Sequence, residues 1–203
     1  MSEMHCPNCG DLVSPAIKSV KMITCASCTT TLLLEDAGLR LAGEQGVLHD
    51  VPMLFGLGDS LRIGKTLYEV LGHARFSYGR GSWDEFWAID DQGAPVWISV
   101  DEGDLILQRV LARTDWPKYD GYLRLGSTLL YQNEAFRVDE VGTGTCTGLR
   151  GSFGHELTVG ERYKFLTLQG EDGRVLSAEI EGAQYEWFIG HWVDPFEVEV
   201  KPA

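Results

Sequence analysis

The sequence predicts a mostly β protein: an N-terminal four-cysteine zinc ribbon followed by two tandem small β-barrel or sandwich-like repeats. Three observations carry that reading. Two Cys-x2-Cys pairs stand near the N-terminus, at Cys6/Cys9 and Cys25/Cys28. Beyond them, short segments rich in Val, Ile, Trp, Tyr and Phe alternate with glycine-bearing turns, and the 24 glycines in 203 residues exceed the usual ~7%. No segment shows the 3.6-residue periodicity of an amphipathic helix three turns long.

The cysteines come first in the chain and in the argument. HCPNCG and TCASC give the spacing Cys6-x2-Cys9-x15-Cys25-x2-Cys28. Two residues between paired cysteines let a tight turn aim both sulfurs at one metal, and a thiolate tetrahedron suits zinc. Pro7 presets its own φ, and Gly10 can take a positive φ just after the second ligand. With cysteine at all four positions the metal keeps no open coordination position, so it is expected to be structural. A redox site would need only one pair, and iron accepts the same four-sulfur set. His5 reads as an exposed neighbour of Cys6 and not as a ligand. Residues 20–24 and 29–34 read as strands entering and leaving the second knuckle. The ribbon is placed at residues 1–36, and that boundary predicts that Cys25→Ser unfolds the ribbon while the rest stands.

Charge narrows the partners. Seventeen basic against thirty acidic residues leave a net charge of -13, which repels nucleic acid and anionic membranes. The best basic stretch, residues 75–80, holds only Arg75 and Arg80. No apolar run approaches bilayer length, so no direct membrane insertion is expected. MSEMHCPNCG lacks the basic start and apolar middle of a signal peptide. A cytoplasmic location is the expectation.

Beyond residue 36 the candidate strands are residues 38–42, 66–70, 74–78, 85–89, 96–100 and 105–110. A repeat runs through this part. Leu61-Arg-Ile-Gly64 is echoed by Leu123-Arg-Leu-Gly126, and Leu67-Tyr-Glu-Val70 by Ala135-Phe-Arg-Val138. Phe86-Trp-Ala-Ile and the following Val96-Trp-Ile-Ser99 are echoed by Phe165-Leu-Thr-Leu and Val175-Leu-Ser-Ala178. The units are placed at residues 57–113 and 121–200, the second with an insertion near 143–160. Whether they close separately or share one barrel is left open.

The first unit carries Gly64-x3-Tyr68-x-Val70, Trp83-Asp-Glu-Phe86 and Trp97-Ile-Ser99. On these residues the chain resembles a bacterial family known only as a domain of unknown function, over roughly residues 57–200. The second unit has Glu161-Arg-Tyr-Lys164 where the first has Trp83-Asp-Glu. The resemblance implies a duplicated β fold and no reaction. It also implies a gene neighbourhood of spermidine-synthase-like enzymes and small membrane proteins, hence a polyamine-linked or membrane-stress assembly.

Motifs of known chemistry nearly fit and fail. Gly58 to Thr66 looks like a phosphate loop, but its spacing is one residue too long and strand-like sequence follows where a helix is required. Gly142-Thr-Gly-Thr-Cys-Thr-Gly148 misses the dinucleotide fingerprint, and Gly151-Ser-Phe-Gly154 is no nucleophile elbow. Cys146 reads as a lone structural thiol. The most informative patch is Gly81-Ser-Trp-Asp-Glu-Phe-Trp87 with Trp97. On a strand, Trp83, Glu85 and Trp87 share one face and Asp84 and Phe86 the other. Trp83, Asp84, Glu85, Trp87 and Trp97 form the candidate binding surface, because aromatic anchors dominate binding hot spots; the bland reading is a small β core. The function expected is a non-catalytic accessory protein with structural zinc, binding protein partners through its β module. The alternatives are a small-ligand-binding β-barrel, its cavity lined by Trp83, Trp87, Trp97 and Trp187, and a hydrolase or transferase using Asp84 or Glu85.

Overall fold

A computed structural model describes residues 4–35, 38–49, 51–119, 121–181 and 184–203. It is mostly β, as the sequence predicts. The cysteine region holds β1 (Met4–His5), β2 (Leu12–Val13), β3 (Met22–Thr24), β4 (Thr30–Glu35) and β5 (Gly38–Glu44). The next set is β6 (Ser60–Ile63), β7 (Thr66–Ser77), β8 (Ser82–Asp90), β9 (Pro95–Asp101) and β10 (Asp104–Val110). After a 3-10 turn at Arg113–Asp115 come β11 (Thr128–Tyr131), β12 (Glu134–Phe153), β13 (Arg162–Gln169), β14 (Arg174–Glu181) and β15 (Gln184–Val193). A second 3-10 turn, Pro195–Glu197, leads into β16 (Val198–Lys201).

The question of one barrel or two is decided by strand pairing. The hydrogen-bonded order runs β7–β8–β9–β10–β15–β14–β13–β12, and β12 pairs back onto β7. Eight antiparallel strands therefore close on themselves, half from each unit. Closure leaves no exposed edge among them. Residues 143–153, part of the stretch expected as an insertion, continue β12, and Cys146–Gly151 make the pairing that shuts the ring. Residues 66–70 and 74–78, expected as two strands, lie largely in one strand, β7, which passes through Gly72 with a bulge after Val70.

Backbone hydrogen bonds define how the two units correspond. Val70 accepts from Gly58 N at 2.9 Å and donates to Asp59 O; Val138 accepts from Gly126 N at 2.8 Å and donates to Ser127 O. The echo of Val70 in Val138 thus holds in the backbone, while Leu61 corresponds to Leu129 and not to Leu123. In the next hairpins Ala88 pairs with Val96, and Leu168 with Leu176. This aligns Phe86 with Leu166 and puts Phe165 on the opposite face from Phe86. A one-residue slip in a period-2 pattern reverses every side chain, and short apolar echoes do not carry enough information to prevent it.

Both faces of the barrel wall are packed. Outside the first unit, Leu61, Tyr68, Val70, Phe86, Ile98 and Leu105 form one cluster. Outside the second, Leu129, Phe136, Val138, Leu168, Leu176 and Trp187 form another. Inside lie Ala74, Phe76, Trp87, Trp97, Cys146 and Phe188. The cysteine region joins this interior: Met22, 0% exposed, and Leu33 belong to the same cluster. β3 pairs with the end of β12, and Lys21 N donates to Phe153 O at 2.8 Å.

Candidate functional site

The four cysteines converge. Cys6 Sγ lies 3.6 Å from Cys28 Sγ and Cys9 Sγ 3.7 Å from Cys25 Sγ, and all four sulfurs fall within 4.8 Å of one another. A tetrahedron of thiolates about 2.3 Å from one metal would set its sulfurs about 3.8 Å apart, so the set could hold a metal ion. The two knuckles have the same backbone. Cys6 O accepts from Gly10 N at 2.8 Å, and Cys25 O accepts from Thr29 N at 2.9 Å. Cys6 N and Cys25 N donate to Asp11 O and Thr30 O. Gly10 has φ 79° and Thr29 has φ 63°; the second knuckle thus holds a β-branched residue in the left-handed region, a strain that the surrounding contacts must offset. Thr30, through its hydroxyl and backbone N–H, holds the Cys28 thiol down at about 6. His5 is exposed, with Nδ1 3.1 Å from Gly10 O.

The residues expected as a binding surface sit in the barrel wall. Trp87 and Trp97 are 2% and 5% exposed and belong to the interior cluster. Trp83 and Glu85 point the same way but remain half-buried, because they line a cavity of about 180 Å³ inside the barrel. Trp187 lies in the outer cluster of the second unit, outside this cavity. The correction has a simple physical basis: alternation puts Trp83, Glu85 and Trp87 on one face, but only ring closure makes that face the inside.

Around Glu85 runs a chain of polar side chains. Trp83 Nε1 donates to Glu85 Oε1 at 3.0 Å, and Ser99 Oγ lies 2.8 Å from both carboxylate oxygens. Gln108 Nε2 donates to Ser99 Oγ at 3.2 Å, and Ser177 Oγ donates to Gln108 Oε1 at 2.8 Å. Four strands, β8, β9, β10 and β14, thus contribute to one network. Beyond it is Glu179, which borders both this cavity and a second one of about 520 Å³ with Trp116, His155, Tyr185 and Glu186 on its walls. Glu179 and Glu186 are directly opposite on β14 and β15.

The electrostatics follow chiefly from burial. Burial, with Glu179 nearby, pushes the Glu85 carboxyl up to about 8. Burial, with Glu186 nearby, pushes Glu179 up to about 7. Burial raises Glu186 as well, while it lowers His155 to about 4 with help from Lys21. Sequence reasoning missed Ser99, Gln108, His155, Ser177, Glu179 and Glu186 as parts of a site. The available signal was polar residues at inward positions of otherwise apolar strands, such as Ser177-Ala-Glu179.

Asp84 belongs elsewhere. It points outward and is 8% exposed, with Oδ1 2.6 Å from His73 Nε2 and 2.8 Å from Arg75 Nε, and Oδ2 3.1 Å from Arg75 Nη2. Burial pushes its carboxyl up, but these bonds from His73 and Arg75 win and hold it below the usual range. Arg75 also donates to His49 O at 3.0 Å. Asp84 is therefore a fixed counter-ion that ties the segment before β6 to the barrel wall.

The motifs that failed as fingerprints have structural jobs. A Cβ on Gly142 would meet Phe165 Cζ at 2.3 Å, and one on Gly144 would meet Trp83 Cη2 at 2.0 Å. The alternate glycines of β12 leave the space that the tips of two interior aromatic rings occupy. Gly64-Lys65 makes the β6–β7 hairpin. Cys146 is fully buried, and that burial pushes its thiol up to about 11. No helix among the described residues is long and apolar enough to cross a membrane.

Fold and site together define a β-barrel protein that carries a four-cysteine centre at one end and an acidic, aromatic cavity within. A family model described as Domain of unknown function (DUF4178) matches residues 56–195, and the chain belongs to that family. The match spans β6 to β15 and leaves the cysteine centre outside it. No match was found among curated proteins, and none among solved structures.

Proposed function

We propose that this is a non-catalytic accessory protein whose barrel receives a small ligand and whose cysteine centre holds zinc as a structural element. One observation carries the ligand reading: the tryptophan and carboxylate expected to face a partner are turned into an interior cavity and fixed there by the Trp83–Glu85–Ser99–Gln108 network. Preorganised polar groups in an aromatic cavity are what a small-molecule site requires. Zinc is supported by the all-sulfur donor set and by the two Sγ–Sγ distances of 3.6 and 3.7 Å. Native mass spectrometry of the full chain, purified without a metal-binding tag, tests both parts. One zinc plus a small adduct that is lost on denaturation supports the reading. Zinc alone, with no adduct and no shift in tryptophan emission on denaturant-free dialysis, argues for a barrel that binds nothing inside.

Protein partners would meet the chain outside the barrel. Phe196 is 97% exposed, and its neighbour Pro195 borders the same groove as Val51 and Leu54, which are also exposed. Loss of co-purifying polypeptides from a Phe196→Ser, Leu54→Ser variant with an unchanged melt would support that second reading.

A further inference from the structure

We infer that the ligand of the barrel cavity is a small organic cation, an ammonium group held between Glu85 and Glu179 and flanked by Trp83. This rests on the proposal that the cavity binds a small molecule, and it adds the chemical class.

The argument begins with the lining. Glu85, Glu179, Asp101, Asp139 and Glu140 all border the cavity, and no lysine, arginine or histidine does. Glu85 and Glu179 stand on β8 and β14, which lie across the ring from each other in the pairing order. Glu85 is oriented by Trp83 and Ser99. Glu179 is half-buried on the cavity wall, and among the described residues its carboxylate has no hydrogen-bond or ion-pair partner. A carboxylate held partly out of water without a partner is unfavourable, and this one borders an open volume. A bound cation would supply the missing partner.

The class of cation follows from the rest of the lining. Trp83, Phe165 and Trp192 border the same space, and aromatic faces attract ammonium groups. A divalent metal fits poorly. It needs several oxygens converging within a few ångströms, and among the described residues the four cysteines are the one group of three or more possible ligands that converges. A volume of about 180 Å³ corresponds to roughly six waters at ~30 Å³ each, so a ligand segment of comparable size fits. An anion is excluded by the five carboxylates and a purely apolar ligand by the polar chain on the wall.

Calorimetric titration of the full metal-bound chain at near-physiological salt tests this with three probes of matched size: n-butylammonium, n-butanol and butyrate. The expected result is one site for butylammonium per chain, with a change in tryptophan emission, and binding at least tenfold weaker for butanol and undetectable for butyrate. Glu179→Gln should weaken butylammonium at least tenfold. Glu85→Gln is the second variant should the first fail to fold, and Glu199→Gln, an exposed carboxylate on β16, should change nothing. Equal binding of butanol and butylammonium, or no loss in either cavity variant, overturns the cation assignment while leaving a ligand cavity in place. Failure of all three probes overturns the cation assignment and the cavity reading together.

Discussion

Glu85 and Glu179 stand on opposite walls of one barrel, four strands apart in either direction around the ring. They come from the earlier and the later strands of the ring, β8 and β14, and share a single cavity. Their burial on facing walls sets the pH behaviour of the fold.

Both carboxyls take up protons on folding, since each is raised from an ordinary 4.5, to about 8 for Glu85 and about 7 for Glu179. Their contribution is fully present below about pH 4.5 and is lost as pH rises through about 7 and then 8. Thermal melts at constant ionic strength should therefore show the midpoint falling between about pH 5 and about pH 9. Glu186, also raised by burial, adds to the same trend, and Lys21 opposes it there. The double variant Glu85→Gln, Glu179→Gln should flatten the curve and melt higher at the alkaline end; an unaltered slope would falsify the assignment.

Neighbouring carboxylates should respond in opposite directions. Asp84→Asn leaves Arg75 and His73 without their buried counter-ion and should cost about 3 kcal/mol. Glu85→Gln removes an ill-solvated charge and should leave stability at neutral pH unchanged or higher. Urea denaturation of the two variants decides this, and destabilisation of equal size in both would show that the inner and outer faces have been confused.

The wall behind Trp83 is sensitive to a single methyl group. Gly144→Ala places a Cβ against the Trp83 ring and should destabilise the fold by about 1–3 kcal/mol, the usual range for overpacking. Trp83 must move, so the emission spectrum should change. A variant with native stability and native emission would mean that the ring has room the structure does not show.

Metal loss should be felt beyond the cysteines. Met22 lies between the second knuckle and the barrel and is packed with Phe153 and Trp87 in one cluster. Chelation, or Cys25→Ser, should therefore lower the midpoint of the barrel's own transition. A boundary after residue 36 predicts separate melting instead. Scanning calorimetry distinguishes the two: a barrel transition indifferent to the metal would restore the boundary. Met22→Ala, with the metal bound, should cost about 2–5 kcal/mol.

How much of this was legible in the sequence can be argued residue by residue. Cys6, Cys9, Cys25 and Cys28 were readable because a knuckle is a local object: two intervening residues and a positive-φ position determine where both sulfurs point. Thr29 in the role of Gly10 was not readable, since nothing in its side chain announces a left-handed backbone. The β class was readable from turn chemistry and apolar segments, and the common face of Trp83, Glu85 and Trp87 from the two-residue period of a strand. Which face was the inside was not. Alternation is symmetric between the two sides of a sheet, and here both sides carry aromatic and aliphatic residues because the wall is packed on both.

The sequence by itself determined the β class, the convergence of the four cysteines and the common face of Trp83, Glu85 and Trp87. Tertiary structure decided that the halves close as one barrel, through the long second half of β12 pairing with β7. It also decided that Glu85 and Glu179 line one cavity, that Ser177 meets Gln108 and that Met22 enters the interior. Those are juxtapositions of residues far apart in the chain. Local propensity carries no information about them, because they arise only when ring closure brings distant inward-facing positions around a common space.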